Sequence, residues 1–184
     1  MFSSLMSLLY TKNPNLFLPD KWPTYYSRAK GCKIWDLEGL KYNDLSTMGV
    51  GTNILGYSRR EVDQAVIQTV KNSNMSSLNC FEEVKLAERL IEINPWAQMV
   101  KYARTGGEAN SVAIRIARAA TGREKVAICG YHGWHDWYLA TNLVSDNALN
   151  NHLLPGLKTA GVPESLKNTI FPFSFNNFDE ILEI

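Results

Sequence analysis

Two short stretches of this 184-residue sequence combine residue types that could bind and orient a small anionic ligand. The first is Arg104-Thr105-Gly106-Gly107-Glu108, set between an apolar run at 99–103 and an amphipathic run at 108–120. Thr105 can cap the helix that follows, and Glu108 can reach back as its capping-box partner. Gly106 and Gly107 let backbone N–H groups come close to an anion. The helix N-terminus adds about half a positive charge, so a phosphate would sit well there. The same pentad also reads as a plain strand-to-helix turn in which glycine only relieves strain, and alone it does not separate the two. It is neither G-x-G-x-x-G nor a Walker A loop, which disfavours a dinucleotide or P-loop site.

The second stretch, Gly130-Tyr131-His132-Gly133, directly follows an apolar run at 125–129. Residues at the carboxyl ends of parallel strands line the ligand crevice of open α/β sheets. Tyr131, freed by flanking glycines, could lie flat against a planar heterocycle, or it could be a packed core aromatic. His132 and His135 form an H-x-x-H pair. That pair lacks the i, i+4 spacing and the Glu of a zinc helix, and no third ligand is evident, so no metal site is expected.

These residues need elements to position them. Residues 24–47 read as strands and turns, with a hairpin of 33–36 and 40–44 turning at Gly39. The glycine-punctuated 48–56 reads as a loop. Ser58 with Glu61 forms a capping box ahead of a helix carrying Val62, Ala65, Val66, Thr69 and Val70 at helical spacing. A second helix covers 81–93, with Val84, Ala87, Leu90 and Ile91 inward, and ends before Pro95. A βα pattern follows: a strand at 99–103, and a helix at 108–120 with Ala109, Val112, Ala113, Ile116, Ala117 and Ala120 on one stripe, closed by Gly122. Strands at 125–129 and 169–173 complete it. This alternation points to an α/β fold with a parallel sheet. Between those last two strands, 134–166 shows little periodicity and reads as a long functional loop with a short helix around 137–143.

Composition narrows the class. The chain is 45% hydrophobic and 20% charged with a net charge of +1, an ordinary globular balance that gives no electrostatic reason for nucleic acid or an anionic membrane. Its densest basic pair, Arg59-Arg60, makes no patch. Cys32, Cys80 and Cys129 are far apart and fit a reducing compartment rather than a disulfide framework. The apolar first ten residues lack a basic flank and a small-residue cleavage site, and read as an interface arm or ordinary helix. No run approaches the ~18 apolar residues of a membrane span. A soluble, cytoplasmic protein is expected.

The run RTGGEANSVAIRIARAATGREKVAICGYHGWHD resembles the class-III pyridoxal-phosphate (PLP) aminotransferases. There a glycine-rich turn followed by Glu-Ala opens a helix ending in Thr-Gly-Arg, and the next strand delivers Tyr-His-Gly. Upstream, DLEGLKYNDLSTMGVGTNILGYS is similar to the family's D-x-D-G-x-x-Y-x-D segment. Downstream, LPGLKTAGVPESLKNTIFPFSFNNFDEILE is similar to the glutamate-1-semialdehyde 2,1-aminomutases in particular, including Gly161-Val162-Pro163. The resemblance implies a fold type I PLP-dependent transferase, truncated to a small-domain segment with an N-terminal arm (1–55) and the first part of the large domain (56–184). It implies that the turn Thr105, Gly106 and Gly107 holds the PLP phosphate, that Tyr131 stacks on the pyridine ring, and that His132 shapes the pocket beside it. Residues 134–163 correspond to a mobile loop gating the site. Gly107 stands where the family usually has a Thr hydroxyl, which puts more of the phosphate on backbone donors.

The implied activity is PLP-dependent amino-group transfer of the aminomutase kind. The alternatives are a class-III aminotransferase acting on another small amino or keto substrate, or a non-catalytic fragment. A homodimer is implied for the full-length protein. The family's Schiff-base lysine and the carboxylate that protonates the pyridine nitrogen are expected beyond Ile184, so no catalytic residue is assigned in this chain and it is expected to be inactive alone. Incubation of the chain with PLP followed by borohydride reduction and peptide mapping should then give only scattered, substoichiometric lysine labelling. Stoichiometric label on one lysine would refute that assignment.

Overall fold

A computed structural model of the protein describes residues 21, 23–152 and 155–184; the arm expected over the first ten residues lies outside them. The chain divides into two compact units, Met1–Val84 and Lys85–Ile184. The 55/56 boundary expected from the resemblance separates small-domain and large-domain segments, a division of a different kind.

In the first unit three short strands, β1 (Tyr26–Lys30), β2 (Lys33–Asp36) and β3 (Lys41–Asn43), form an antiparallel meander in the order β1-β2-β3. The expected hairpin is β2–β3, with Ile34 opposite Tyr42 and Gly39 at φ 84. Asp36 closes its turn: one carboxylate oxygen accepts from the Leu40 amide (2.8 Å) and the other from the Tyr42 hydroxyl (2.7 Å). A buried carboxylate is tolerable because those bonds replace its water. Arg28 lies 4.0 Å over the Trp35 ring on the neighbouring strand.

Ser58 departs from its expected role. It adopts φ 50 and donates its hydroxyl to Ala29 O (3.0 Å), next to the Gly31–Tyr57 bridge. Its side chain is spent tying the 48–56 loop back to β1, so α1 (Arg60–Lys71) begins at Arg59 with no side-chain cap. Glu61 pairs instead with Arg59 at 2.8 Å. The next helix, α2 (Phe81–Ile93), has the expected bounds, and Ala87, Leu90 and Ile91 are its partly covered positions. Val84 is exposed.

The second unit holds α3 (Gly106–Thr121), β4 (Val126–Ile128), α4 (Asp136–Leu139), β5 (Ile170–Pro172) and α5 (Phe178–Glu183). β4 and β5 pair in parallel, Val126 opposite Ile170 and Ile128 opposite Pro172. Beyond Pro172, Phe173 N still donates to Ile128 O at 2.9 Å, so the proline, which has no N–H, costs the pair no bond to β4. Gly122 closes α3 in the left-handed conformation at φ 66, as glycine does at helix ends.

Two expectations fail here. Residues 99–103 form no strand and belong to neither sheet. A strand needs a neighbour to take up its N–H and C=O groups, and no described strand lies alongside. The alanine stripe of α3 is also not its covered face: Ala109, Ala113, Ile116, Ala117 and Ala120 are exposed, while Asn110, Ser111, Ile114 and Arg118 turn inward. Of the expected stripe only Val112 is partly covered.

The core of this unit comes largely from the segment expected to be a mobile gate. Trp137, Tyr138 and Leu149 join Ile128 and Ile170 in one buried cluster, with Ile114, Val126, Tyr131, Leu139 and Leu157 packed against it. Tyr138 and Leu149 are fully buried. α4 runs on into a 3₁₀ turn, Ala140–Leu143, fulfilling the helix expected near 137–143. Buried Asn142 then pins the segment, donating to Leu157 O (2.9 Å) and accepting from the Leu149 amide (3.0 Å). Aromatic and leucine side chains spaced along the first half of the segment make it core material.

β4–β5 leaves unpaired outer edges among the described residues, and Val62, Val66, Ile116 and Trp134 stay exposed. Open strand edges template aggregation, and a net stability of about 5–15 kcal/mol leaves little margin. The isolated 184-residue chain should therefore bind a hydrophobic dye and lack a cooperative melt. A soluble monomer with a sharp two-state transition would refute this.

Candidate functional site

The residues singled out by type converge where the start of α3 meets the loop after β4. Thr105 is extended (φ −134, ψ 158) and its hydroxyl accepts from the Glu108 amide. The first helical bond runs from Ala109 N to Thr105 O, 3.0 Å. The amides of Gly106 and Gly107 lie ahead of it, among the donors a helix cannot satisfy internally. Glu108 reaches back one residue further than a capping box requires, accepting from Arg104 N at 2.8 Å. Its other oxygen is 3.6 Å from the exposed Arg104 guanidinium.

The loop after β4 lies directly on this turn. A Cβ on Gly133 (φ 106) would come 3.2 Å from Gly107 Cα, so the close approach and the positive φ both require glycine. Asn110 donates its side-chain amide to His132 O (3.2 Å), fixing the loop from the helix side. At the loop's start Gly130 N donates to His152 Nδ1 (3.0 Å), and the Tyr138 hydroxyl donates to Gly130 O (3.3 Å).

Tyr131 and His132 are thereby held in place. Tyr131 packs edge-to-face with Tyr138 at 5.7 Å. Partial burial raises its hydroxyl pKa above the ordinary tyrosine value, and burial followed by the nearby Tyr131 pushes Tyr138 up to about 12. His132 is anchored back to the end of β4. Its Nε2 is 2.9 Å from Cys129 O, to which it donates, and its ring packs beside Trp137 and Tyr138.

His135 does not join His132; its Nδ1 is 3.0 Å from Ser111 Oγ. That hydroxyl also receives Trp137 Nε1–H at 3.0 Å and lies 2.9 Å from Gly107 O. The imidazole covers Gly107: a Cβ there would sit 2.7 Å from Nε2 and 2.8 Å from Cδ2. His135, Ser111, Glu108 and Arg104 also line an open depression of about 420 Å³. Among the described residues no three His, Cys, Asp or Glu side chains gather as metal ligands.

The structure thus brings Thr105, Gly106 and Gly107 against the loop carrying Tyr131 and His132. Sequence reasoning missed Asn110, Ser111 and Trp137, and weighed His135 only as a metal ligand. The available signal is the polar Asn110-Ser111 pair one turn after the glycines, beside the alanine stripe.

Comparison with known proteins identifies the family and the fold. The model of the class-III aminotransferases matches residues 19–168. The 3-aminobutyryl-CoA aminotransferase of Cloacimonas acidaminovorans is 32% identical over 94% of this chain and 38% of its own length. The glutamate-1-semialdehyde 2,1-aminomutase of Methanopyrus kandleri is 34% identical over 89% of this chain and 37% of its own. Among solved structures, a PLP form of the FumI protein of Sphingopyxis sp. MTA144 superposes with a TM-score of 0.76 at 25% identity, covering 94% of this chain and 37% of that one. The chain therefore spans under two-fifths of the length of the relatives it matches, and its fold is a partial segment of the fold type I transaminases. Matched over most of its residues, it belongs to the class-III aminotransferase family.

Proposed function

We propose that this chain is the part of an amino-group-transferring enzyme that anchors PLP by its phosphate and supports one face of its ring. The observation that carries the proposal is the convergence of two glycine-bearing turns: free helix-start amides at Gly106 and Gly107, and Tyr131 held on the loop lying against them. The fit is physical. Nothing lies within 4 Å of where a Gly106 side chain would stand, so a phosphate oxygen can reach the backbone there. The helix start favours the negative charge, and Arg104 can add to it.

Each residue then has a task. Thr105 fixes the cap that aims the two amides. Gly106 and Gly107 donate to the phosphate. Tyr131, wedged edge-on by Tyr138, offers a ring face for stacking. His132 backs that wall through Cys129 O rather than touching the reacting atoms. PLP, when bound, supplies an electron sink for carbanion chemistry next to the amine.

The substrate is a small amino or keto compound. The Gly161-Val162-Pro163 stretch resembles the aminomutases, which favours moving an amine within one substrate. The 3-aminobutyryl-CoA aminotransferase match supports transfer between two. A homodimer is proposed for the full-length protein.

In a full-length version, Tyr131→Ala should weaken PLP retention roughly three- to tenfold, as expected from about 0.5–1.5 kcal/mol of stacking. Tyr131→Phe should retain PLP. Equal loss in both variants would assign the role to the hydroxyl and refute stacking; binding of NAD in place of PLP would refute the cofactor.

A further inference from the structure

We propose that His135 is a ligand of the cofactor's phosphate, acting through Nε2 from the position where residue 107 would otherwise carry its side chain. This rests on the cofactor reading above and extends it to a residue that neither glycine turn contains.

The case begins with volume. The imidazole occupies the space a residue-107 side chain would fill, with Nε2 2.7 Å, Cδ2 2.8 Å and Cε1 3.8 Å from the Cβ position. A side chain at 107 would therefore have to displace the imidazole, which the Ser111 bond holds in place. Nε2 is the nearest of these atoms, which places a ring nitrogen beside the helix-start amides.

The hydrogen bonds then fix which nitrogen is available. Nδ1 is taken by Ser111 Oγ at 3.0 Å, while among the described residues no hydrogen-bond partner engages Nε2. Ser111 has one hydroxyl proton and two lone pairs. One lone pair receives Trp137 Nε1–H. With the hydroxyl proton turned to His135 Nδ1, the neutral ring carries its own proton on Nε2. Gly107 O loses nothing essential by that rotation, because the helix supplies it with the Ser111 amide. If the hydroxyl instead donates to Gly107 O, Ser111 accepts from Nδ1–H, and Nε2 of the neutral ring is then an acceptor, so ligation of the phosphate requires the first arrangement. That arrangement aims an N–H donor along the side of the turn, where a phosphate on the Gly106 and Gly107 amides would receive it.

Trp137 gives the device its rigidity. It is buried in the core cluster, and its indole N–H holds Ser111 in place. The imidazole is therefore preset before any ligand arrives, so little ordering cost accompanies the added bond.

The test compares PLP with pyridoxal, which has the same ring and no phosphate, in a full-length version of the protein. Dissociation constants are read by quenching of tryptophan fluorescence. His135→Phe keeps a ring and removes both nitrogens. It should weaken PLP roughly ten- to a hundredfold, the scale of a charge-assisted hydrogen bond, and change pyridoxal by less than about threefold. His135→Gln, with an amide donor, should recover part of the loss. Gly107→Thr beside an intact His135 should itself lose PLP, because the two side chains compete for one volume. The same change in His135→Ala should regain affinity relative to His135→Ala alone, since the hydroxyl now has room. A thermal melt of each variant establishes that it folds, and the His135→Gln and His135→Phe pair decides the matter if His135→Ala does not. Equal loss for PLP and pyridoxal, no loss for PLP, or unimpaired binding in Gly107→Thr would overturn the assignment while leaving the cofactor reading intact. A wild-type protein that binds neither compound would overturn the cofactor reading itself.

Discussion

The constraint on which the site depends is the approach of one backbone to another. Gly133 comes so near Gly107 that a single added carbon would lie 3.2 Å from the latter's Cα. This approach converts the start of α3 and the loop after β4 into one wall. Without it, the helix-start amides and the aromatic after β4 would be separate features. Glycine suits both positions: Gly133 carries a positive φ, and a side chain at 107 would run into His135. The polar groups around them, Asn110 on His132 O and His152 on Gly130 N, hold the loop in that position.

Behind the wall stands a core built mostly by the loop itself. Ile128 and Ile170 provide only two buried side chains from the parallel pair. Trp137, Tyr138 and Leu149, all from the connection between these strands, complete the cluster. Burying large side chains such as these contributes about 1.5–3 kcal/mol each, so the connection does as much as the strands to fix the unit. Stability and site geometry are thus coupled: Tyr138 fills the core, wedges Tyr131, and bonds Gly130 O.

Local chemistry was the legible part of the sequence. The cap at Thr105, the left-handed stop at Gly122, the Gly39 hairpin and the bounds of α2 all follow from rules acting within four or five residues. The convergence of the two turns was legible only through a motif spanning both. Long-range pairing was not legible. The 99–103 run has strand-like composition but no described neighbour, and Ser58 looks like a cap until its hydroxyl is seen on Ala29 O, far back in the chain. Periodicity failed on α3 for a related reason. An alanine-rich stripe marks a face that could be covered, but here the inward face is the one bearing Asn110 and Ser111, since polar contacts to the loop decide the rotation.

On the proposed phosphate role, that rotation also accounts for a glycine at 107. A side chain on the helix's own first turn brings a donor on a short tether, at the cost of volume exactly where the loop must pass. Removing it lets the loop come closer and lets a residue of the loop, His135, stand in the vacated space. The donor is then set from outside the helix, held by Ser111 one turn on and by Trp137 from the core. A group fixed by two elements is better oriented than one free to rotate on its own Cβ, and orientation decides a hydrogen bond's worth once the anion is desolvated. Glycine at this position therefore transfers the side-chain contribution from the turn to the loop packed on it.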